Sequence, residues 1–90
     1  MAVPLPTPPG PGRIRIVDRT RMPSLDTSRM GRYDETITFM DDRGRTYVLV
    51  IPAEELEGKS EEEQARIIAE RARALVGQRS SWTGRELSIA

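Results

Sequence analysis

Ser60-Glu61-Glu62-Glu63 and Asp41-Asp42 are the places in this 90-residue chain where residue type and spacing could support chemistry. A serine attacks only when a base lies within hydrogen-bond reach. The chain has no histidine and no cysteine, and Lys59 is its single lysine. Carboxylates alone make Ser60 a poor nucleophile, and its spacing to Glu63 suits a helix cap instead. Paired carboxylates can do acid–base work where burial shifts their pKa values. Asp41 and Asp42 are expected on an exposed turn and Glu61–Glu63 on a solvated helix start, so neither setting supplies that burial. The sequence predicts no enzyme.

Metal and phosphate chemistry fare no better. Without histidine or cysteine there is no zinc-type ligand set. Asp41-Asp42-Arg43-Gly44 lacks the Asp-X-Asp-X-Asp-Gly spacing and distal glutamate of a calcium loop. No glycine-rich loop leads from a strand into a helix, and the acidic helix start repels phosphate. No cofactor is expected. Nucleic acid is a stronger rival. Thirteen of the 14 basic residues are arginine, the bidentate phosphate reader. Arg13, Arg15, Arg19 and Arg21 form a short basic segment. Against this reading, formal net charge is zero, and few aromatics stand near that segment to stack on bases.

The elements that position these residues form a small α+β unit: a β-hairpin packed on one C-terminal amphipathic helix, with a third strand, antiparallel or mixed, if a flanking segment adds to the hairpin. Residues 1–12 are rich in proline and glycine and predict an extended arm, neither helix nor central strand. Val3 and Leu5 would be its anchors on a neighbouring groove. Residues 13–33 predict a strand and loop. Arg13-Ile14-Arg15-Ile16-Val17 has the period of a half-buried strand, with Ile14 and Ile16 on one face, or continues the arm. Met22 to Gly31 reads as a loop pinned by Met22, Leu25 and Met30, with Asp26-Thr27-Ser28 bonding its own backbone.

Residues 34–78 hold the expected core. Glu35–Met40 and Arg45–Ile51 are rich in β-branched and aromatic residues, and Gly44 can close a short loop between them. That loop pairs Asp41 with Arg45, Phe39 with Tyr47 and Ile37 with Leu49. One face is then Ile37, Phe39, Tyr47, Leu49 and Ile51, the core side. The other carries Met40, Val48 and Val50 among threonines, and an antiparallel sheet facing water should alternate more sharply. A capping box at Ser60–Glu63 starts a helix from about Glu61 to Val76, and Gly77 suits its end. Its expected stripe is Ala65, Ile68, Ala69, Ala72, Leu75 and Val76, with Ile67 pointing away.

Residues 79–90 form a tail or short strand. Leu87 and Ile89 alternate with polar residues and could add to either hairpin edge. Trp82 either folds back on the core or anchors an interface. Charge is uneven: residues 1–33 carry six arginines against two aspartates, residues 34–63 carry three basic residues against ten acidic, and residues 64–90 carry five arginines against two glutamates. Such blocks suit packing between protein copies. The N-terminus lacks the features of a secretory signal, and no apolar run approaches ~20 residues, so nothing is expected to span a membrane.

These features predict a non-catalytic structural or assembly subunit of a larger complex, cytoplasmic or in a virion. Its partners would be proteins, as a homo-oligomer or a large hetero-assembly. The organisation is that of small accessory subunits of phage capsids and head–tail junctions, an analogy of architecture only. A regulatory adaptor on a large enzyme or polymerase is the alternative, and a nucleic-acid accessory protein the next. The expected partner-binding residues are Val3, Leu5, Ile14, Ile16, Met40, Val48, Val50, Ile67, Trp82, Leu87 and Ile89.

Overall fold

β-Branched and aromatic residues in Tyr33–Met40 (β2) and Thr46–Pro52 (β3) form the hairpin at the heart of the molecule, and Arg15–Pro23 (β1) adds a third strand. The computed structural model describes residues 7–89. The sheet is antiparallel throughout, in the order β1-β2-β3. The hairpin register is the expected one, with Ile37 opposite Leu49 and Phe39 opposite Tyr47. The Asp41 amide donates to the Arg45 carbonyl at 2.9 Å, and Gly44, at φ +80°, turns the chain. A side chain there would be strained, which is why glycine closes this loop.

The long helix Glu61–Trp82 (α1) lies under the hairpin. Ser60 caps it, its hydroxyl accepting from the Glu63 amide at 3.2 Å. In place of the return bond from Glu63, the Gln64 side-chain amide donates to the Leu56 and Lys59 carbonyls just ahead of the helix. The helix does not stop at Gly77 but runs five residues further, to Trp82. Arg79 explains the extension. Its guanidinium sits 4.9 Å from the Tyr47 ring centre and donates to the Thr46 carbonyl. Packing on the sheet thus outweighs the low helix propensity of one glycine, roughly 1 kcal/mol.

The core has two adjoining clusters. Ile37, Ile51, Leu56 and Ile68 form one, and Phe39, Tyr47 and Ala72 the other. Leu49 bridges both. Phe39 stacks on Tyr47 with centroids 5.1 Å apart. The helix is rotated from its expected setting. Ile67 is half-buried against the first cluster, while Ala65 and Ala69 are exposed. Turning Ile67 inward and the alanines outward buries more aliphatic surface, because an alanine has only a methyl group to offer. Ile67 is therefore a core-flanking residue rather than a free docking residue.

Three further expectations change. The third strand is longer than residues 13–17 suggested and reaches Pro23. The tail adds no strand: residues 85–89 have no regular secondary structure, and Leu87 and Ile89 are exposed. The 24–32 loop is not pinned by its apolar residues. Leu25 is 89 % and Met30 83 % exposed. Polar groups hold the loop instead. Asp26 accepts from the Ser28 amide and hydroxyl, and the Ser24 amide donates to the Arg32 carbonyl. Arg29 reaches Asp34, Glu54 and the Tyr33 carbonyl.

Val3 and Leu5 of the expected arm lie outside the described residues. Its described part, Thr7–Gly12, does not run straight out. The Arg13 amide donates to the Gly10 carbonyl at 3.1 Å, with Pro11 and Gly12 (φ +71°) between them. This is a turn with proline and glycine in their preferred places. The Gly12 amide then donates to Asp42, and the Arg15 side chain to the Thr7 carbonyl. The segment is folded onto the β2–β3 turn.

Candidate functional site

Strand alternation sends every second side chain of the sheet away from α1. On β2 and β3 that outer face is Asp34, Thr36, Thr38, Met40, Thr46, Val48, Val50 and Pro52; apart from Asp34, which Arg29 pairs at one end, it carries no charge in a chain that is 31 % charged. Val48 is 59 % and Val50 55 % exposed, and Met40 is half-buried. β1 adds Val17 and Met22, both exposed, alongside Thr20, Asp18 and Arg15. Apart from Arg29 over Asp34 at one end, no described element covers this face.

The two edges of the sheet are unlike. Hydrogen bonding alternates along an antiparallel pair, so a residue bonded inward is followed by one facing outward. The Ser24 amide donates to the Arg32 carbonyl, which sets the β1–β2 phase. Arg19, Arg21 and Pro23 then turn their backbone to the open side. Two charged side chains, a proline without a donor and a bulge at Val17 guard that edge. β3 has only Pro52 at its far end. Between Arg45 and Glu54 its sequence contains no charge.

Beneath β1, the helix leaves a gap. Two hollows of about 510 and 450 Å³ adjoin there and share Ile14 and Ala69. Ile16, Ala65 and Val76 extend the apolar lining, and Arg13, Arg73, Asp41 and Asp42 contribute charge of both signs. Ile14 is half-buried and packs on the Phe39–Tyr47 cluster, so it belongs partly to the core. Trp82 closes α1 half-exposed, with the Arg85 guanidinium 4.5 Å from its ring centre. It does not fold back on the core.

Asp41 is buried rather than on an exposed turn. One carboxylate oxygen accepts from the Arg43 and Arg45 amides at 2.9 and 2.8 Å, and the other accepts the Tyr47 hydroxyl at 2.9 Å. Burial pushes its pKa up, but the Arg45 amide, the Tyr47 hydroxyl and the Arg43 amide together hold it below the ordinary value. Burial and the Asp41 carboxylate push the Tyr47 phenol up. Among the described residues no group of three or more metal-ligating side chains comes together. No described helix is long and apolar enough to cross a membrane.

The arginine segment is largely occupied. Arg19 pairs with Glu35 at 3.0 Å and donates to Gln64 at 2.9 Å, Arg21 pairs with Glu57, and Arg15 donates to Thr7. Arg13 lines one of the hollows beside α1, and the paired Arg19 lines the other. Carboxylates from other elements neutralise two of the four charges, which weakens their appeal to a phosphate backbone.

Sequence spacing did not point to Arg29. The hydrogen bond from Arg29 is the main reason the Glu54 carboxyl is held down to about 2, and together they clamp the 24–32 loop to the short helical turn Ala53–Glu55 that follows β3. Replacing Arg29 with alanine should loosen this loop first. Limited proteolysis should cut within residues 24–32 faster than in the parent, and the Glu54 pKa should return toward 4.5 by NMR titration. Unchanged cleavage and an unchanged Glu54 would show that the clamp is idle. No protein family, curated protein or solved structure matches the chain.

Proposed function

We propose that this chain is a non-catalytic structural subunit of a larger protein assembly, of the kind that accessory proteins of virions exemplify. One observation carries the reading: the outer face of β2 and β3, whose sole charge among the described strand residues is the Arg29-paired Asp34 and whose Val48 and Val50 are more than half exposed, lies bare beside a strand edge with no charged residue between Arg45 and Glu54. Sheets that work alone in water tend to present polar residues on the open face and charge on open edges. The exposed Leu25, Met30, Leu87 and Ile89 add apolar surface at other places on the molecule. The basic, acidic and basic thirds of the sequence suit contacts between copies.

Light scattering on the isolated chain tests this. Self-association, or partial folding relieved by a partner, is the expected result. A fully folded chain that stays monomeric across a wide concentration range would reject it. A half-exposed Trp82 at the end of α1 favours a second reading, a monomeric adaptor that grips a large protein through that ring.

A further inference from the structure

We infer that the partner at the β3 edge is a second copy of this chain, joined β3 to β3 about a two-fold axis at Leu49. The inference rests on the assembly reading and gives it a surface, a symmetry and a register. It begins from which backbone groups the edge leaves open. The Asp41–Arg45 bond fixes the hairpin phase, so Arg45, Tyr47, Leu49 and Ile51 bond inward to β2. Thr46, Val48, Val50 and Pro52 face outward. Of these, Thr46 already has its carbonyl satisfied by Arg79 at 3.3 Å. Pro52 has no amide hydrogen to give.

Those two exceptions select the register. In an antiparallel pair centred on Leu49, each outward residue faces the one whose number mirrors its own about that axis. Val48 meets Val50 of the second copy, and Val50 meets Val48, each exchanging both bonds. Thr46 then meets Pro52 of the second copy. The Thr46 amide donates to that Pro52 carbonyl, while the missing proline donor faces the carbonyl that Arg79 already serves. Every open donor of the edge between Thr46 and Pro52 finds an acceptor, and no carbonyl is left waiting for a proline.

The side chains agree with the backbone. Directly opposed residues share a face, so Val48 and Val50 of both copies meet in one uncharged patch on the outer side. On the inner side Leu49, only half-buried in a single chain, meets its own counterpart across the axis. No like charges oppose each other, because β3 has none between Arg45 and Glu54. The β1 edge offers no rival, being guarded by Arg19, Arg21, Pro23 and the bulge at Val17. The product is a continuous six-stranded sheet with a β1 strand at either end and a helix from each copy on the same side.

Val50→Pro is the decisive variant. Its amide faces outward, so the substitution removes no bond to β2, and proline is tolerated on strand edges in that orientation. It deletes one intermolecular bond from each copy, which should weaken self-association about 30-fold. Val48→Lys, an edge charge on the outward side, is a second variant independent of backbone geometry. The expected result is a parent at twice the chain mass by light scattering, with slow amide exchange at Val48 and Val50. Both variants should fall to the single-chain mass, folded by circular dichroism. If the parent self-associates but both variants associate as before, β3 pairing is overturned while the assembly reading stands. A folded parent that is monomeric throughout overturns both.

Discussion

Phe39→Ala lowers the stability of the folded chain by about 3–5 kcal/mol. Phe39 is completely buried, stacks on Tyr47 and sits over Ala72 of α1. Truncation opens a cavity between sheet and helix, and Ala72 is too small to fill it. Apart from its stacking partner Tyr47, the second cluster has no other large buried side chain, since Ile14, Leu49, Leu75 and Val76 only flank it. A unit of this size has little stability in reserve, so the variant should be largely unfolded at room temperature. Urea unfolding followed by circular dichroism measures the loss. A midpoint within error of the parent's would mean that the stack contributes nothing and that the core lies elsewhere.

The next largest loss comes from Asp41→Ala, about 3 kcal/mol, because it strands the Arg43 and Arg45 amides and the buried Tyr47 hydroxyl together. Asp41→Asn should cost less, since an amide oxygen can still accept from the two backbone donors. The charge adds a pH signature. The folded-state pKa of Asp41 lies below its ordinary 3.8. A carboxylate so depressed contributes stability that is present above the unfolded pKa and lost as pH falls through the folded one. Tyr47 runs the opposite way. Its folded pKa is raised above 10.0, so its contribution holds below that value and is lost as pH rises through the folded pKa. Unfolding midpoints should therefore fall in acid below about pH 4 and again in alkali. Asp41→Asn should remove part of the acid limb, the rest belonging to Glu54 and Asp26, which are also held low, and an unaltered acid limb in that variant would assign the effect wholly to those carboxylates.

The parts of the fold legible in the sequence are those with local causes. Gly44 in a polar turn between two β-rich runs fixed the hairpin register, and Ser60 ahead of three glutamates fixed the helix start. Met40, Val48 and Val50 standing among threonines already marked the bare face that now forms the candidate site. What was illegible depends on distant partners. Residues 18–23 look too polar for a strand until Glu35 and Glu57 arrive from other elements to pair Arg19 and Arg21. Gly77 reads as a stop because nothing nearby announces that Arg79 will be held by Tyr47 and Thr46. Leu25 and Met30 read as anchors because large apolar residues usually are. Arg29 does that work instead, and its partners Asp34 and Glu54 are identified only by the fold. Asp41 followed the same logic: its neighbours suggest an exposed turn, and only Tyr47 across the strands reveals a buried acceptor.

The bulge at Val17 sets the parity of β1. Ile14 and Ile16 carry even numbers and Arg19 and Arg21 odd ones, yet all four face the helix side. The extra residue is what lets both pairs do so, since an unbroken strand would send one pair to each face. Length in this strand is thus quantised: a gain or loss of one residue between Ile16 and Arg19 exchanges oily for ionic on half the strand, whereas a change of two preserves the pattern.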